Sequence, residues 1–452
     1  MPKKNPWTGK RVVVIGMGTS GAAAARLALR RGAEVVAVDK KELRELGEIA
    51  RAFFGEGGLV ESESMRDELV SKCELVIVSP GVPSFPALEA AIQRGVPVWG
   101  EVELAFRELA GKPRVLAVGG TNGKSTTTTL IGELLTAAGR RTFTGGNLGE
   151  PLANHVDEAW EDVVLEVSSF QMERVDAFAP HVAVLLNVSD DHLDRYPSFD
   201  AYAAAKGNMF LRQTADDVAV VPAGDSVCSR EAKRGKGRLV TFGAGGDVDV
   251  TDDAVIDRAR DVRFERAALG IKGAHNAANV AAAWAAVRDL GVSSEVARRV
   301  FAEFTGLAHR MALVAEIEGV RYYDDSKGTN VGASVTALRG LSEPKAVLIA
   351  GGVDKGGTYD PLVAALVERG RAAVLIGQAA PLIEAAIGDR VPVRRAASLA
   401  DAVKVSAELA RPGDAVLLSP ACSSFDMFRD YKDRGDQFVR AVLLLKGEKE
   451  AK

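Results

Sequence analysis

Residues 119–125 read Gly-Gly-Thr-Asn-Gly-Lys-Ser and lie between the apolar run Arg114–Val118 and the helix-forming stretch Thr126–Ala138. A glycine-rich turn between a strand and a helix is typical of a phosphate-binding loop, because its backbone N–H groups turn inward and the helix N-terminus attracts anions. We therefore expect an α/β fold whose loop binds the phosphates of ATP. Three residues, and not four, separate Gly119 from Gly123, so the loop is a variant of the standard pattern.

Short β-branched runs alternate with longer alanine- and leucine-rich stretches on both sides of this loop, as in βα units that build parallel sheets. The chain has 452 residues, of which 47% are hydrophobic and 26% charged, a globular composition. This length suggests three domains, which we place at residues 1–110, 111–306 and 307–452. We expect the first and last to be Rossmann-like and the central one to be P-loop ATPase-like with a mainly parallel sheet. The predicted strands are Arg11–Ile15, Glu34–Val38, Leu75–Val78, Arg114–Val118, Lys345–Ala350, Ala372–Ile376 and Asp414–Leu418.

Charge and cysteine content exclude several classes of function. A net charge of -4 gives no general attraction to nucleic acid or to an anionic membrane, so we expect small-molecule partners. Three cysteines without metal-ligand spacing fit a reducing compartment.

The N-terminus lacks the features of a signal peptide, and no apolar run approaches the ~18 residues of a membrane helix. We expect a cytoplasmic, monomeric enzyme.

A second glycine-rich turn, residues 16–21, reads Gly-Met-Gly-Thr-Ser-Gly between a strand and a helix, and Asp39 ends the next strand. This pattern is the dinucleotide fingerprint, and alone it favours an oxidoreductase that uses NAD. The loop binds diphosphates generally, however. A nucleotide sugar that contacts Gly18, Thr19 and Ser20, with its uridine against Asp39 and Lys40, is equally compatible.

Metal-binding residue types lie at the ends of strands in the central region. Glu166 is near the end of the apolar run 163–167, where a buried carboxylate needs a partner such as Mg²⁺. His192 lies in an acidic turn after the next strand, and Lys206 lies in an alanine-rich helix. Taken alone, His192 and Lys206 are compatible with ordinary surface positions.

Three polar loops follow strands in the last domain, at residues 324–330, 351–356 and 419–424. Loops at the carboxyl ends of strands are where α/β domains bind ligands. Each could be an ordinary turn, but three in one domain favour a ligand pocket.

In combination these segments resemble the Mur ligases of peptidoglycan synthesis, over the whole chain. Residues 120–126 are similar to the ATP loop of that family. Residues 145–149 and 166–171 resemble segments of the member that adds D-glutamate, and His309-Arg310 and Asp325-Ser326-Lys327 are similar to motifs that the family shares.

The resemblance implies an ATP-dependent ligase that adds D-glutamate to UDP-N-acetylmuramoyl-L-alanine through an acyl phosphate, in peptidoglycan precursor synthesis and hence cell-wall biogenesis and division. It implies catalytic roles for Lys124, Glu166, His192 and Lys206. Ser125 and Glu166 would hold one Mg²⁺, and Glu166, His192 and a carbamylated Lys206 would hold a second.

The resemblance also implies the binding residues. Those for ATP are Gly120, Thr121, Asn122, Gly123, Lys124, Ser125 and Thr126 in the loop, with Asn276, Asn279, Arg310 and Asp325 around the adenosine. Those on the muramoyl side are Asn147, Ser168 and Gln171. Those for D-glutamate are Lys327, Thr329, Lys355, Ser424 and Tyr431. Tyr431 departs from the family pattern, because a phenylalanine can occur there.

Three alternatives remain at this point. An NAD-dependent oxidoreductase would leave residues 119–125 unexplained. A folylpolyglutamate synthase-like ligase would lack a comparable N-terminal nucleotide domain. A catalytically silent nucleotide-sugar sensor would have no use for the lysine, histidine and carboxylates of the central region.

Overall fold

The chain is described by a computed structural model that covers residues 6–42, 45–191, 195–356 and 358–450. It divides into two compact units. Unit 1 comprises Met1–Val188, Asp200–Ala268 and Ala278–Phe301, and unit 2 comprises Ser189–Phe199, Leu269–Ala277 and Ala302–Lys452.

The first part of unit 1 is a parallel sheet with helices between its strands. Its elements are β1 (Arg11–Ile15), α1 (Thr19–Arg30), β2 (Glu34–Asp39), α2 (Gly47–Gly55), β3 (Leu59–Ser62), α3 (Arg66–Lys72), β4 (Leu75–Val78), α4 (Pro86–Gln93), β5 (Val98–Trp99) and α5 (Glu101–Glu108). The strand order is β3-β2-β1-β4-β5, and every pair is parallel. This order is that of a Rossmann-like half, in which β2 and β3 are added on one side of β1 and β4 and β5 on the other. Such a change in strand order leaves a crevice at the carboxyl end of β1.

The second sheet of unit 1 contains the glycine-rich loop 119–125. Its elements are β6 (Arg114–Gly119), α6 (Lys124–Ala137), β7 (Thr142–Gly146), β8 (Asp162–Glu166), α7 (Ser169–Met172), β9 (Val182–Leu185), α8 (Phe199–Gly207), β10 (Val218–Pro222), α9 (Ser226–Ala232), β11 (Arg238–Phe242), β12 (Val248–Val250), β13 (Ala254–Asp257), β14 (Val262–Glu265), α10 (Ala274–Val287) and α11 (Ser294–Glu303). Phe199 of α8, residues 274–277 of α10 and residues 302–303 of α11 belong to unit 2. The order is β14-β13-β12-β11-β10-β9-β6-β8-β7, and only β12, β13 and β14 pair antiparallel in the described residues. The carboxyl ends of β7, β8, β6 and β9 therefore meet at one edge.

A shared core joins these two sheets. Val14 and Leu27 from the first part belong to the same buried cluster as Val115 and Leu165 from the second. The buried carboxylate of Glu103 on α5 adds polar contacts, because it accepts the backbone N–H groups of residues 176, 177 and 178 at 2.8, 2.8 and 3.0 Å. A buried carboxylate that accepts several N–H groups is well compensated for its loss of water.

Unit 2 contains a third sheet. Its elements are β15 (Ala312–Ile317), β16 (Val320–Asp324), α12 (Val331–Gly340), β17 (Ala346–Gly351), α13 (Asp360–Arg369), β18 (Gly370–Ile376), α14 (Ala380–Ile387), β19 (Val393–Arg395), α15 (Leu399–Leu409), β20 (Ala415–Leu418) and α16 (Tyr431–Glu450). The order is β15-β16-β20-β17-β18-β19, with β15 antiparallel and the other pairs parallel. Buried apolar clusters cover both faces.

The α/β fold class and its mainly parallel sheets are confirmed, and the predicted strands match observed strands closely. Helix α6 begins at Lys124, earlier than the predicted Thr126, so the loop's lysine and serine belong to the first helical turn. The domain boundaries near residues 110 and 306 stay a prediction. In the described ranges, no helix has the length and apolarity needed to cross a membrane.

Candidate active site

Two glycines shape the loop between β6 and α6. Gly120 and Gly123 have φ values of +144° and +85°, a region that side chains disfavour. Space is restricted as well, because a Cβ on Gly123 would lie 2.5 Å from Oδ1 of Asn279 and one on Gly120 would lie 3.1 Å from Cβ of Leu186. Both positions therefore need glycine.

The side chain of Asn187, just after β9, holds this loop in place. Its Oδ1 accepts the N–H groups of Thr121 and Asn122 at 3.2 and 2.9 Å, and its Nδ2 donates to the carbonyl of Asn122 at 3.0 Å. Nζ of Lys124 donates to the carbonyls of Gly120 and Thr121 at 2.9 and 2.7 Å, so the ammonium lies over the loop. A positive charge here is suited to the phosphates of a nucleotide.

Glu166, at the end of β8, contacts the loop through Ser125. It is 1% exposed, its Oε2 accepts the hydroxyl of Ser125 at 2.5 Å, and its Oε1 accepts the amide of Asn147 at 2.6 Å. Ser125 opens α6 and Asn147 follows β7, so three neighbouring elements converge on one carboxylate. Hydroxyl and carboxylate oxygens are hard ligands of the kind that Mg²⁺ prefers.

Lys206 lies against the same loop, although its helix position alone indicated a solvated charge. It is 4% exposed, and its Nζ donates to the carbonyl of Gly120 at 2.8 Å. The same Nζ is 4.4 Å from the ring centroid of Tyr202, whose hydroxyl is 3.3 Å from Oγ1 of Thr121. The structure thus brings Lys124, Ser125, Glu166 and Lys206 to one loop.

His192, the remaining predicted metal ligand, lies outside the described residues. Within the ranges that the structure describes, no group of three His, Cys, Asp or Glu side chains could hold a metal ion. Among the described residues, the predicted metal ligands are therefore Ser125, Glu166 and Lys206.

Two residues predicted for the muramoyl side bond to each other. Ser168 precedes α7 and accepts the N–H of Gln171 at 3.2 Å, while the Gln171 side chain accepts the N–H of Ser168 at 2.9 Å. This reciprocal capping box fixes the start of α7 directly after Glu166. Asn147, the third predicted residue, contacts Glu166 as described above.

The N-terminal fingerprint loop is ordered by Asp39. Its carboxylate accepts the N–H groups of Met17 and Lys41 at 2.6 and 2.8 Å. A Cβ on Gly21 would lie 1.9 Å from the carbonyl oxygen of Gly16, so the helix start packs directly on the loop. The loop residues predicted to bind a nucleotide are Gly18, before α1, and Thr19 and Ser20, in its first turn, while Lys40 is exposed.

In unit 2, loops at the ends of adjacent parallel strands meet. Asp325 follows β16, and its Oδ2 accepts the hydroxyl of Ser419, after β20, at 2.7 Å. Burial raises the pKa of Asp325 to about 7, with the bond from Ser419 and the charge of Arg310 opposing that rise. Nζ of Lys327 lies 3.9 Å from the ring centroid of Tyr431.

Comparison with known proteins identifies the family. A UDP-N-acetylmuramoylalanine--D-glutamate ligase of Syntrophotalea carbinolica is 44% identical, covering 98% of this chain and 99% of the relative. One of Desulfosudis oleivorans is 44% identical, covering 97% of each chain. The chain is a Mur ligase.

Family domains and solved structures agree with this assignment. Residues 10–100 match the Mur ligase MurD-like N-terminal domain, 118–287 the Mur ligase middle domain, and 309–422 the Mur ligase glutamate ligase domain. The crystal structure of the UDP-N-acetylmuramate-alanine ligase MurC of Thermotoga maritima has a TM-score of 0.61 at 20% identity and covers 97% of this chain and 100% of its own. That structural similarity shows a three-domain fold. The oxidoreductase alternative gains no support from any of these similarities.

The residues predicted around the adenosine of this Mur ligase divide between the two units. Asn279 belongs to unit 1, where its Oδ1 accepts the hydroxyl of Thr127 at 3.4 Å. Asn276, Arg310 and Asp325 belong to unit 2, and the Asn276 amide donates to the carbonyl of Lys272 at 2.8 Å.

The residues predicted for D-glutamate all belong to unit 2. Nζ of Lys355 is 3.5 Å from Oδ1 of Asp191, Ser424 is buried, and Thr329 is half-buried. The sequence did not indicate Arg434 on α16, which is fully buried and donates to the carbonyls of Ser326 and Cys422 at 2.8 and 3.3 Å. It thereby ties two of the strand-end loops to one helix.

Proposed function

We propose that this Mur ligase joins D-glutamate to UDP-N-acetylmuramoyl-L-alanine and couples this reaction to the cleavage of ATP to ADP and phosphate. One observation carries the proposal: Lys124, Ser125, Glu166 and Lys206 converge on one phosphate loop, in a chain 44% identical over nearly its whole length to D-glutamate ligases. The product is a peptidoglycan precursor.

The reaction needs two steps. A carboxylate oxygen of the L-alanyl group attacks the γ-phosphorus of ATP, which releases ADP and leaves an acyl phosphate. The amine of D-glutamate then attacks the acyl carbon, phosphate leaves, and the amine loses a proton. Because a carboxylate and a triphosphate repel each other, Lys124 over the loop supplies a positive charge that lowers this repulsion.

We further propose that Ser125 and Glu166 hold one Mg²⁺, and that Glu166, His192 and Lys206 hold a second. The donors fit the ion, since the Ser125 hydroxyl and a carboxylate oxygen of Glu166 are hard oxygen ligands that lie beside each other. Bound Mg²⁺ would neutralise phosphate charge during transfer. Lys206 as an ammonium has only donors, whereas a carbamate formed from CO₂ would add two oxygens and keep one N–H for the carbonyl of Gly120.

The binding assignments made from the sequence are proposals as well. The adenosine would lie among Asn276, Asn279, Arg310 and Asp325. The UDP-sugar would bind the fingerprint loop around Gly18 with Asp39, and reach Asn147. D-glutamate would bind in unit 2, with its carboxylates near Lys327 and Lys355. A cytoplasmic location and a monomeric state stay predictions.

An acceptor screen tests the function. Release of ADP is measured with UDP-N-acetylmuramoyl-L-alanine and each of D-glutamate, L-lysine, meso-diaminopimelate and L-alanine. We expect ADP release only when D-glutamate and the nucleotide sugar are both present, with the ligated product detected by mass spectrometry. If the enzyme consumed ATP as fast without either substrate as it does in the complete mixture, the proposal would be wrong.

The carbamate is tested separately. We expect Lys206→Ala to lose nearly all activity and to recover part of it when a short-chain carboxylic acid is added, because the acid can replace the missing oxygen ligand. The exposed Lys233, just after α9, offers a control, and Lys233→Ala should keep full activity. Wild-type activity in Lys206→Ala would remove the carbamate from the mechanism.

A further inference from the structure

Two strand-end loops of unit 2 are joined by a short backbone bridge. Val353, after β17, donates its N–H to the carbonyl of Ser423 at 2.9 Å and accepts the N–H of Ser423 at 3.0 Å. This bridge places the residues that follow Val353 beside those that surround Ser423. Lys355 and Ser424, both proposed to bind D-glutamate, are each within two positions of it.

Lys355 is the central residue of a small turn that the side chain of Asp354 closes. Oδ2 of Asp354 accepts the N–H of Gly356 at 3.2 Å, a bond from a side chain to the residue two positions ahead. Asx turns of this kind fix the backbone of the intervening residue. The direction in which Lys355 leaves the main chain therefore depends on the orientation of the Asp354 carboxylate.

That carboxylate is held in turn by a buried tyrosine. The hydroxyl of Tyr359 donates to Oδ1 of Asp354 at 2.6 Å and lies 3.3 Å from Sγ of Cys422. An ionised carboxylate can only accept, so the tyrosine proton is directed to Asp354 and the thiol of Cys422 must donate to the tyrosine oxygen. Burial raises the pKa of Cys422 to about 11, which keeps that proton on sulfur near neutral pH.

The three side chains form one chain of hydrogen bonds across the two loops, from Cys422 through Tyr359 to Asp354. Cys422 and Tyr359 are buried and Asp354 is exposed, so the chain runs from the core to the loop surface. Each bond in such a chain polarises the next. The proposed catalytic contacts in unit 1 involve none of these residues.

We infer that Tyr359 is a positioning residue for the acceptor amino acid: by holding the Asp354 carboxylate, its hydroxyl sets the turn that directs Lys355 toward a carboxylate of D-glutamate. This inference rests on the proposed function. It assigns a specific role to a hydroxyl, since the aromatic ring alone would be sufficient for packing in the core.

The test compares Tyr359→Phe, Asp354→Ala and the double variant with wild type in steady-state assays that vary D-glutamate and ATP separately. We expect each single variant to raise KM for D-glutamate about five- to tenfold, the effect of losing one hydrogen bond to a charged, partly exposed group. KM for ATP should be unchanged. The double variant should resemble Asp354→Ala, because the hydroxyl acts through that carboxylate.

A matched control is available on β16. Tyr322 is buried in the same domain, and the described residues show no hydrogen bond to its hydroxyl, so Tyr322→Phe should leave KM for D-glutamate unchanged. Thermal unfolding of every variant confirms that it is folded. Should Tyr359→Phe fail to fold, Asp354→Ala still tests the turn, since it changes an exposed residue.

Two results would overturn the inference: an unchanged KM for D-glutamate in Tyr359→Phe or Asp354→Ala, or effects of the two changes that add independently in the double variant. Both leave the proposed ligase function intact, because wild type would still use D-glutamate. A wild-type enzyme that makes no product with D-glutamate would overturn the proposed function and this inference together.

Discussion

The carboxylate of Glu166 combines burial with two short polar contacts. Its partners, Ser125 and Asn147, approach opposite oxygens at 2.5 and 2.6 Å. A charge kept in a site that is 1% exposed reduces stability unless it is compensated, so a functional requirement is the simplest reason for retaining it.

Glu166→Gln removes the negative charge of this side chain while keeping its size and shape. We expect kcat to fall by about 10²- to 10³-fold, the scale of losing one electrostatic contact to the transition state, while the melting temperature stays the same or rises. Rates of ADP release and thermal unfolding measure the two effects. The exposed Glu161, just before β8, is a control, and Glu161→Gln should change neither. The prediction is wrong if Glu166→Gln has a lower melting temperature while each folded molecule keeps the wild-type kcat.

Glu101 makes a separate prediction for stability against pH. It is 1% exposed at the start of α5, its Oε1 accepts the N–H of Ala153 at 2.7 Å, and its Oε2 has no partner in the described part of the chain. Burial raises the pKa of Glu101 from 4.5 to about 7. The folded chain therefore binds this proton more tightly than the unfolded chain does, and stability is lost as pH rises from about 4.5 to about 7.

The loss attributable to Glu101 should be on the order of 3 kcal/mol, and Glu101→Gln should remove it. Urea unfolding between about pH 5 and pH 7 measures the effect as a free energy of unfolding at each pH. Glu89→Gln on α4, an exposed position, is the matched control. A pH dependence of unfolding in Glu101→Gln equal to that of wild type would show that another group is responsible.

Single residues were predictable where local sequence determined their role. Glu166 stood out as an acid in an apolar strand, and Lys124 and Ser125 stood out within a glycine-rich turn. Asn187 and Tyr202 did not, because their contacts with the loop join positions 65 and 81 residues apart. The burial of Lys206 could not be predicted either, because an alanine-rich helix does not reveal which of its faces packs inward.

Elements were predicted best where apolar runs were unbroken. Strands β1 and β4 were predicted with the bounds that the structure gives, because parallel strands buried on both faces read as continuous β-branched runs. The short antiparallel strands β12, β13 and β14 gave no comparable signal. Their pairing depends on tertiary contacts more than on composition.

The phosphate loop and α6 form an element whose shape depends on β9 as well. Asn187→Ala should remove three hydrogen bonds to loop atoms, raise KM for ATP about tenfold and lower the melting temperature, because the loop must then be ordered by the nucleotide itself. Steady-state kinetics with varied ATP measure the effect. Asn154→Ala, at an exposed amide, should behave as wild type. An unchanged KM for ATP would mean that the glycines alone define the loop.

At the scale of the whole molecule, the two predicted boundaries differ in physical character. Residues on both sides of position 110 share one buried cluster, which includes Val14 and Leu165. Near position 306, the segment 304–307 has no regular structure between α11 and β15, and Thr305 and Ala308 are exposed. Sequence composition could indicate both turns, but it could not show that a buried core runs across the turn near position 110.

Limited proteolysis should distinguish these boundaries. A protease of broad specificity is expected to cut first between residues 304 and 309, because exposed chain without regular structure opens locally at low free-energy cost. Intact-mass spectrometry should then find a C-terminal fragment starting near residue 307 and an N-terminal fragment still uncut near 110. The turn at Gly111-Lys112, which is also exposed, serves as the internal control. A first cut at that turn would mean that the shared core contributes less to the stability of unit 1 than its buried residues imply.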